Sequence, residues 1–363
     1  MKRLIICCDG TWNRADQEVD GIPCPSNVIK IAFRVAKRDQ QVDQVLFYDQ
    51  GVGTGNLTDK LTGGAFGDGL LDNIYDAYRF LVANYEPGDE VFVFGFSRGA
   101  YTARSLCGMI RKCGILKRPR VMYYRNALSL YREDCKPTDA KPIAFRAENS
   151  VVGDSEIPIS FLGVWDTVGS LGIPLRGLRW ITKRDYQFHD TELSGSVKRA
   201  YHALAIDERR GPFEPTLWDY KPKPGQIVKQ VWFAGVHSDV GGGYTKGGLS
   251  DIALGWMIEG AKEAGLAFDA EVVEKHPLKP NPLLDLHPSK KGLYVLTPGV
   301  DRVIGVHDHD GQQVEDPTQS VHPSVMERWE KRIDYRPRGL LEYFRRTARL
   351  RGQGSPQLEL GRS

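Results

Sequence analysis

A serine in the first third of the chain stands in a setting that suits a catalytic nucleophile. Ser97 lies between Gly95 and Gly99, follows the apolar run 91–94, and precedes apolar residues at helical spacing over 100–110. This order predicts a buried strand, a sharp turn and a helix. The residues two before and two after the serine must be small, because the strand and the helix crowd the turn. The pattern therefore predicts a nucleophile elbow, which presents a serine hydroxyl at the edge of a sheet.

Two further residues have the chemical types that a serine nucleophile needs. Asp166 follows the apolar run 159–165, and His237 follows the predicted strand 227–236. An imidazole can take the serine proton and return it to the leaving group, and a carboxylate holds that imidazole in the required tautomer. The order Ser97, Asp166, His237 is the chain order of the α/β-hydrolase triad. We therefore expect these side chains to meet at one edge of a sheet.

The residues alone leave alternatives for both partners of the serine. Asp239, two residues after His237, competes with Asp166 as the acid, although it could instead brace the triple-glycine loop that follows. His322, in a Val-His-Pro-Ser segment, is the main competitor as the base. An aspartate at a strand end is also commonly a turn or cap residue. These alternatives stay open at this point.

An oxyanion hole needs two N–H donors close to the nucleophile. The backbone of Arg98 is expected to supply the first donor. The second is expected from Gly10 or Thr11, in the loop after the apolar run 4–8. Asp9 could orient that loop or be purely structural. Asp9 also supports a competing hypothesis, a phosphate-handling enzyme in which it is the nucleophile or a metal ligand, although no paired carboxylate follows two residues later.

These residues require a sheet that brings several strand ends to one edge. Apolar runs and helical patterns alternate along the chain, which predicts an α/β fold with a doubly wound, mostly parallel sheet. The predicted strands are 4–8, 42–48, 91–94, 159–165 and 227–236, with a further short one at 293–296. The predicted helices are 26–37, 70–85, 100–113, 122–131, 198–206, 250–264 and 340–351.

The pattern weakens at two insertions and at the C-terminus. Insertions near 115–150 and 170–200 are where a helical lid over the pocket is expected. We expect one catalytic domain over 1–270 and a C-terminal extension over 271–363 that packs on it and ends in an arginine-rich helix. That helix is expected to be solvated or packed, with contact to a membrane surface as the alternative.

Composition and charge exclude several classes of function. The net charge of +3 is too mild to indicate a nucleic-acid partner. The six cysteines show no spacing typical of a metal site, and we expect no metal and no cofactor. The N-terminal apolar run is too short for a signal peptide, and no run is long enough to span a membrane. A cytoplasmic protein is expected, with export by a signal-independent secretion system as the alternative, and the oligomeric state stays open.

Four motifs resemble a family of uncharacterised α/β hydrolases that contains the type VI secretion phospholipase effectors. They are CCDGTWN, GFSRGAYTAR, GVWDTVGSLG and GVHSDVGGGY, which occur in this order over residues 4–265. The HPSV segment at His322 is similar as well. The resemblance implies an α/β-hydrolase fold, with the nucleophile at Ser97, the acid at Asp166 and the base at His237. It also implies cleavage of acyl esters of glycerophospholipids.

The sequence therefore predicts a serine hydrolase that acts on carboxylic esters through an acyl-enzyme. Phospholipid or lysophospholipid acyl chains are the expected substrates. The alternatives are the Asp9 enzyme described above and a non-catalytic binding module that uses the same pocket.

Overall fold

The computed structural model of the protein describes residues 1–10, 13, 16–51, 63–168, 193–219, 221–290, 295, 298–309 and 312–350. The strands are β1 (Arg3–Cys8), β2 (Glu18–Val19), β3 (Ile22–Pro23), β4 (Arg38–Asp39), β5 (Val42–Asp49), β6 (Glu90–Phe96), β7 (Ile159–Trp165), β8 (Arg199–Ala205), β9 (Ile227–Phe233), β10 (Val306–His309), β11 (Gln312–Glu315) and β12 (Gln319–Val321). The α-helices are α1 (Asn27–Arg34), α2 (Gly63–Asn84), α3 (Arg98–Cys113), α4 (Tyr124–Arg132), α5 (Ala140–Asn149), α6 (His237–Gly241), α7 (Gly248–Glu263), α8 (Ala270–Lys275), α9 (Pro323–Lys331) and α10 (Arg338–Leu350).

The main sheet brings strands from both ends of the chain together. Within the described residues it has eight strands in the order β12-β9-β8-β7-β6-β1-β5-β4. All neighbours pair in parallel except β4, which runs antiparallel to β5. The chain passes from β1 to β5 on one side and then to β6 on the other, so the strand order reverses at β1. Open α/β sheets bind ligands beyond the carboxyl ends of the strands at such a point. The expected α/β fold with a doubly wound, mostly parallel sheet is confirmed.

Helices cover both faces of the sheet, which explains why its central strands are apolar along their whole length. In β1, the side chains of Leu4, Ile6 and Cys8 pack into the cluster that includes α2 and α3. Ile5 and Cys7, which alternate with them, pack into the cluster that includes α1 and α7. The sheet therefore positions its carboxyl edge between two packed helical layers.

One predicted helix, 198–206, is wrong. These residues form strand β8, which pairs in parallel with β7 on one side and with β9 on the other. The alanines of this segment favour a helix locally, but pairing on both sides overrides that preference. The other predicted strands and helices within the described residues are present, with shifted ends. The predicted strand 293–296 lies mostly outside the described residues.

The first insertion packs against α3. Its helices α4 and α5 contact the last turn of α3, whereas Ser97 precedes the first turn. The Cys113 thiol lies 3.1 Å from the Ala127 carbonyl oxygen, and the Arg146 guanidinium donates to the Lys112 carbonyl oxygen at 3.1 Å. Most of the second predicted insertion, residues 169–192, lies outside the described residues.

The C-terminal segment adds a strand to the main sheet. β12 pairs in parallel with β9 at the sheet edge. Val325 of α9 and Leu340 of α10 are buried in one cluster with Trp232 of β9. The arginine-rich helix α10 is therefore packed against the body on its apolar side. No helix in the described part of the chain is long and apolar enough to cross a membrane.

Candidate active site

Ser97 lies at the turn between β6 and α3, where the backbone is strained. Its φ of 57° and ψ of −120° belong to a region that L-residues rarely adopt. A Cβ atom on Gly95 would lie 2.4 Å from the Gly99 carbonyl oxygen, and one on Gly99 would lie 2.2 Å from the Cys8 carbonyl oxygen. Both glycines are therefore required by close backbone approach. The predicted strand, turn and helix are present, in the form expected of a nucleophile elbow.

Asp166 lies beside Ser97 because the two residues follow paired ends of neighbouring strands. The Ser97 amide donates to the Trp165 carbonyl oxygen at 3.0 Å. Asp166 is fully buried and also has a positive φ, 39°. Its amide donates to the Ala203 carbonyl oxygen at 2.7 Å, and its Oδ1 accepts the Ala205 amide at 3.0 Å. The end of β8 therefore holds the carboxylate from the side away from Ser97.

His237 begins α6, after β9, and its ring joins Asp166 to the region of the elbow. Its Nδ1 lies 2.6 Å from Asp166 Oδ2. The ring of Phe96, the residue before Ser97, packs on the imidazole with 4.6 Å between centroids, and Phe213 meets it edge-on at 5.0 Å. The Ser97 hydroxyl makes no hydrogen bond with any described residue.

Arg302, which the sequence did not indicate, binds the Asp166 carboxylate with both of its terminal nitrogens. Nη1 lies 2.5 Å from Oδ1, and Nη2 lies 3.1 Å from Oδ2. Burial opposes ionisation of Asp166, but Arg302 and His237 outweigh it and hold the pKa of this carboxyl well below its usual range. Arg302 lies in a stretch without predicted elements, so no pattern pointed to it.

Asp239 pairs with a different histidine, His287. Its Oδ1 lies 2.6 Å from His287 Nδ1, and its Oδ2 accepts the His287 amide at 3.2 Å. The Tyr244 ring stacks on His287 with 3.7 Å between centroids. Asp239 therefore holds His287, and Asp166 is the carboxylate that contacts His237. The role of His287 was also missed, since it lies in a stretch without periodicity.

Asp9 is buried and fully engaged in hydrogen bonds. Its oxygens accept from Ser26 Oγ at 2.6 Å, Tyr48 Oη at 2.8 Å, the Gly10 amide at 2.7 Å and Asn13 Nδ2 at 3.1 Å. Burial raises the pKa of Asp9, although these hydrogen bonds act to lower it. With both oxygens occupied by donors of the protein, Asp9 is not placed to act as a nucleophile or metal ligand. It orients the loop after β1.

The three residues that were expected to supply oxyanion donors lie in different surroundings. The Gly10 amide, which was expected to be an oxyanion donor, donates to Asp9 Oδ1 at 2.7 Å. Gly10 lies against Ser97, where an added Cβ would be 3.3 Å from Ser97 Cβ. Arg98 is the first residue of α3. Thr11 lies outside the described residues.

A comparison with known protein families settles the family of this chain. Residues 2–260 match the family described as T6SS phospholipase effector Tle1-like, catalytic domain. The chain belongs to this family. The matched part contains Ser97, Asp166 and His237, whereas Arg302 and His287 lie beyond it.

Individual relatives of this Tle1-like chain are longer than it is. The uncharacterised protein YEL023C of Saccharomyces cerevisiae is 31% identical over an alignment of 249 residues, and the alignment covers 61% of this chain and 34% of that protein. An uncharacterised protein from Pseudomonas aeruginosa has a TM-score of 0.43 and 19% identity, with 77% of this chain and 47% of that chain covered. The Tle1 effector bound to the VgrG spike from the type VI secretion system has a TM-score of 0.39 and 22% identity, with 67% of this chain and 51% of that chain covered. The chain thus spans about a third of the first relative and about half of each solved chain.

Two other histidines of this Tle1-like chain have structural partners. His322 accepts the Ser324 amide at 3.2 Å and caps α9, one strand beyond His237, and burial lowers its pKa to about 4. His202 is fully buried in β8 and accepts the Thr167 amide at 3.1 Å. Neither is the histidine that contacts Asp166. Among the described residues, no group of histidine, cysteine, aspartate and glutamate is arranged to hold a metal ion.

Proposed function

We propose that this chain is a serine hydrolase that cleaves acyl ester bonds of glycerophospholipids or lysophospholipids. The proposal depends above all on the contact of 2.6 Å between His237 Nδ1 and Asp166 Oδ2, at the sheet edge where Ser97 sits on its strained turn. A carboxylate on Nδ1 keeps the proton on that nitrogen and leaves Nε2 as the base. Membership of a family of phospholipase effector domains supports a lipid ester as the substrate.

In the first half of the proposed reaction, Ser97 Oγ attacks the carbonyl carbon of the ester, and His237 Nε2 takes the hydroxyl proton. The tetrahedral intermediate carries a negative charge on the former carbonyl oxygen. We expect the Arg98 amide, at the start of α3, to stabilise that charge. When the intermediate collapses, the C–O bond to the glycerol oxygen breaks, and His237 returns the proton to this leaving alcohol.

In the second half, a water molecule attacks the acyl-enzyme. His237 Nε2 takes a proton from the water, the bond between Ser97 Oγ and the acyl carbon breaks, and the serine recovers the proton. The products are a fatty acid and a lysophospholipid or a glycerophosphodiester. Asp166 stays ionised throughout and stabilises the imidazolium that forms twice in each cycle.

Hydrolysis of phospholipid vesicles and of p-nitrophenyl esters of graded chain length tests the proposal. We expect wild-type protein to release fatty acid, and Ser97→Ala to lose activity by a factor of about 10³ or more. Ser129→Ala, at an exposed serine of α4, is the matched control and should keep wild-type activity. Full activity in Ser97→Ala would rule out the proposal. Failure of the wild type on every ester would favour the non-catalytic binding module.

A further inference from the structure

We infer that Arg302 is a positioning residue of the proposed triad, which fixes the Asp166 carboxylate and sets the pH at which the Asp166–His237 pair takes up its proton. The inference rests on the proposed function, since it concerns the same three residues. It assigns a role to the C-terminal segment, because Arg302 lies outside the part of the chain that matches the catalytic-domain family.

The contacts of Arg302 leave the Asp166 carboxylate little freedom to turn. Oδ1 accepts both Arg302 Nη1, at 2.5 Å, and the Ala205 amide, at 3.0 Å. Oδ2 accepts Arg302 Nη2 at 3.1 Å and lies 2.6 Å from His237 Nδ1. The planar, two-pronged guanidinium matches the plane of the carboxylate, which a single ammonium group cannot do. The carboxylate is therefore presented to His237 in one orientation.

Arg302 also holds the backbone of Phe213, whose ring packs on the imidazole. Its Nη2 donates to the Phe213 carbonyl oxygen at 2.5 Å, and its Nη1 donates to the Ala205 carbonyl oxygen at 2.7 Å. The Phe213 ring meets the His237 ring edge-on with 5.0 Å between centroids. The Arg302 guanidinium therefore holds two neighbours of His237, the proposed base. Asp166 is the neighbour that forms a hydrogen bond with it, and Phe213 is the neighbour that packs on its ring.

The charge of Arg302 acts on the proton of the Asp166–His237 pair. His237 Nδ1 and Arg302 Nη2 contact the same oxygen, at 2.6 and 3.1 Å, so these two nitrogens lie within about 6 Å of each other. The side chain of Arg302 is only 4% exposed, so water screens the interaction weakly. A guanidinium at this distance repels an imidazolium. Removing its charge should therefore let the pair bind its proton at higher pH.

Other charges around the pair are held by partners of their own. Glu208 Oε2 accepts the His237 amide at 3.3 Å and pairs with Arg210 at 2.7 Å. Asp239 on α6 pairs with His287. His202 interacts electrostatically with Asp166, Arg302 and Arg104, and Asp207 interacts with Asp239. Among these groups, Arg302 is the cation that contacts the same oxygen of Asp166 as His237 does.

The pH dependence of kcat and KM for Arg302→Gln and Arg302→Lys, on a soluble p-nitrophenyl ester, tests the inference. For Arg302→Gln we expect the acid limb of the pH profile, where kcat/KM falls as the pH is lowered, to shift to higher pH by about one unit. KM should stay unchanged in both variants, because Arg302 is buried and does not reach the substrate. Arg302→Lys keeps the charge but not the two-pronged geometry. It should lower kcat by about 10-fold while the acid limb stays within a few tenths of a unit.

Several results would overturn the inference. The first is a folded Arg302→Gln variant whose kcat and acid limb of kcat/KM equal those of the wild type. The second is a variant in which only KM changes. The third is a loss of activity no larger than the loss of folded protein measured by circular dichroism. If Arg302→Gln does not fold, Arg302→Lys decides, and a wild-type kcat in that variant contradicts the geometric role. Ser97→Ala, assayed in parallel, separates the two proposals. Activity in Ser97→Ala refutes the serine mechanism, whereas an inactive Ser97→Ala with unaffected Arg302 variants refutes only the role of Arg302.

Discussion

His237 Nδ1 and Asp166 Oδ2 lie 2.6 Å apart although 71 residues separate the two side chains in sequence. The contact exists because β7 and β9 end at the same edge of the sheet, on either side of β8. Asp166 extends β7 by one residue and hydrogen-bonds to the end of β8, while His237 starts the helix that follows β9. The pairing is thus a product of parallel strand order, and it specifies which carboxylate should matter for chemistry.

Replacing Asp166 should impair the chemical step far more than replacing Asp239. Asp166→Asn removes the charge that stabilises the imidazolium and allows the wrong tautomer of His237. We expect kcat to fall by about 10³ to 10⁴. Asp239→Asn changes the partner of His287 and should lower kcat by less than about 10-fold. Steady-state kinetics of the two folded variants on one ester measures the contrast. Equal losses would show that Asp166 has no special role.

Gly99 should be irreplaceable for packing reasons alone. A Cβ there would lie 2.2 Å from the Cys8 carbonyl oxygen, which is backbone of β1 and cannot move aside. We expect Gly99→Ala to lower the free energy of unfolding by about 3 kcal/mol or more. The matched control is Gly255→Ala in α7, where the added Cβ would lie 3.6 Å from Leu278 Cδ1, an ordinary contact.

Gly255→Ala should be neutral or stabilise the protein by up to about 1 kcal/mol, because alanine favours a helix over glycine. Urea unfolding of both variants measures the difference. If Gly99→Ala is as stable as Gly255→Ala, the close packing of the elbow against β1 is refuted.

His202 should make the protein less stable as the pH falls. Burial, with the nearby charge of Arg104, lowers its folded pKa to about 3, below the usual value near 6.5. Between these values the unfolded chain binds the proton and the folded chain does not, so stability is lost as the pH falls. The slope approaches about 1.4 kcal/mol per pH unit for this group.

The non-titrating variant His202→Gln, whose amide oxygen can accept the Thr167 amide, should show a smaller slope of unfolding free energy between pH 6.5 and 4.5. Urea unfolding at several pH values measures that slope. His322, whose folded pKa is about 4, should retain its own contribution in the variant. Depression of the Asp166 pKa acts only below about pH 4 and does not enter this range. An unchanged slope in His202→Gln would contradict the assignment.

The sequence was most informative where local sterics dictate residue type. The elbow at Ser97 needs an apolar strand, two small residues and a helix within a short stretch, and that pattern is readable without any partner. The strands on either side of it are buried on both faces and therefore appear as apolar runs. Segment 198–206 was misassigned because its alanines carry helix propensity, and only pairing with two neighbouring strands makes it β8.

Single long-range contacts of the site could not be predicted. Arg302 reaches Asp166 across 136 residues, and His287 reaches Asp239 across 48. A single side chain that binds one distant partner leaves no repeating pattern in the sequence. The engagement of the Gly10 amide by Asp9 depends on the conformation of one turn, which residue types alone do not fix. Sequence patterns thus favoured Asp166 and His237 but could not decide between the competing carboxylates.

Covalent labelling with an alkyl fluorophosphonate, followed by mass spectrometry of the digested protein, tests whether Ser97 is an activated nucleophile. The reagent reports a serine activated by a neighbouring base, independently of which lipid is the substrate. We predict one adduct, on Ser97, which disappears in Ser97→Ala and forms much more slowly in His237→Ala. An adduct on another serine, or labelling of Ser97 at the same rate without His237, would contradict the account.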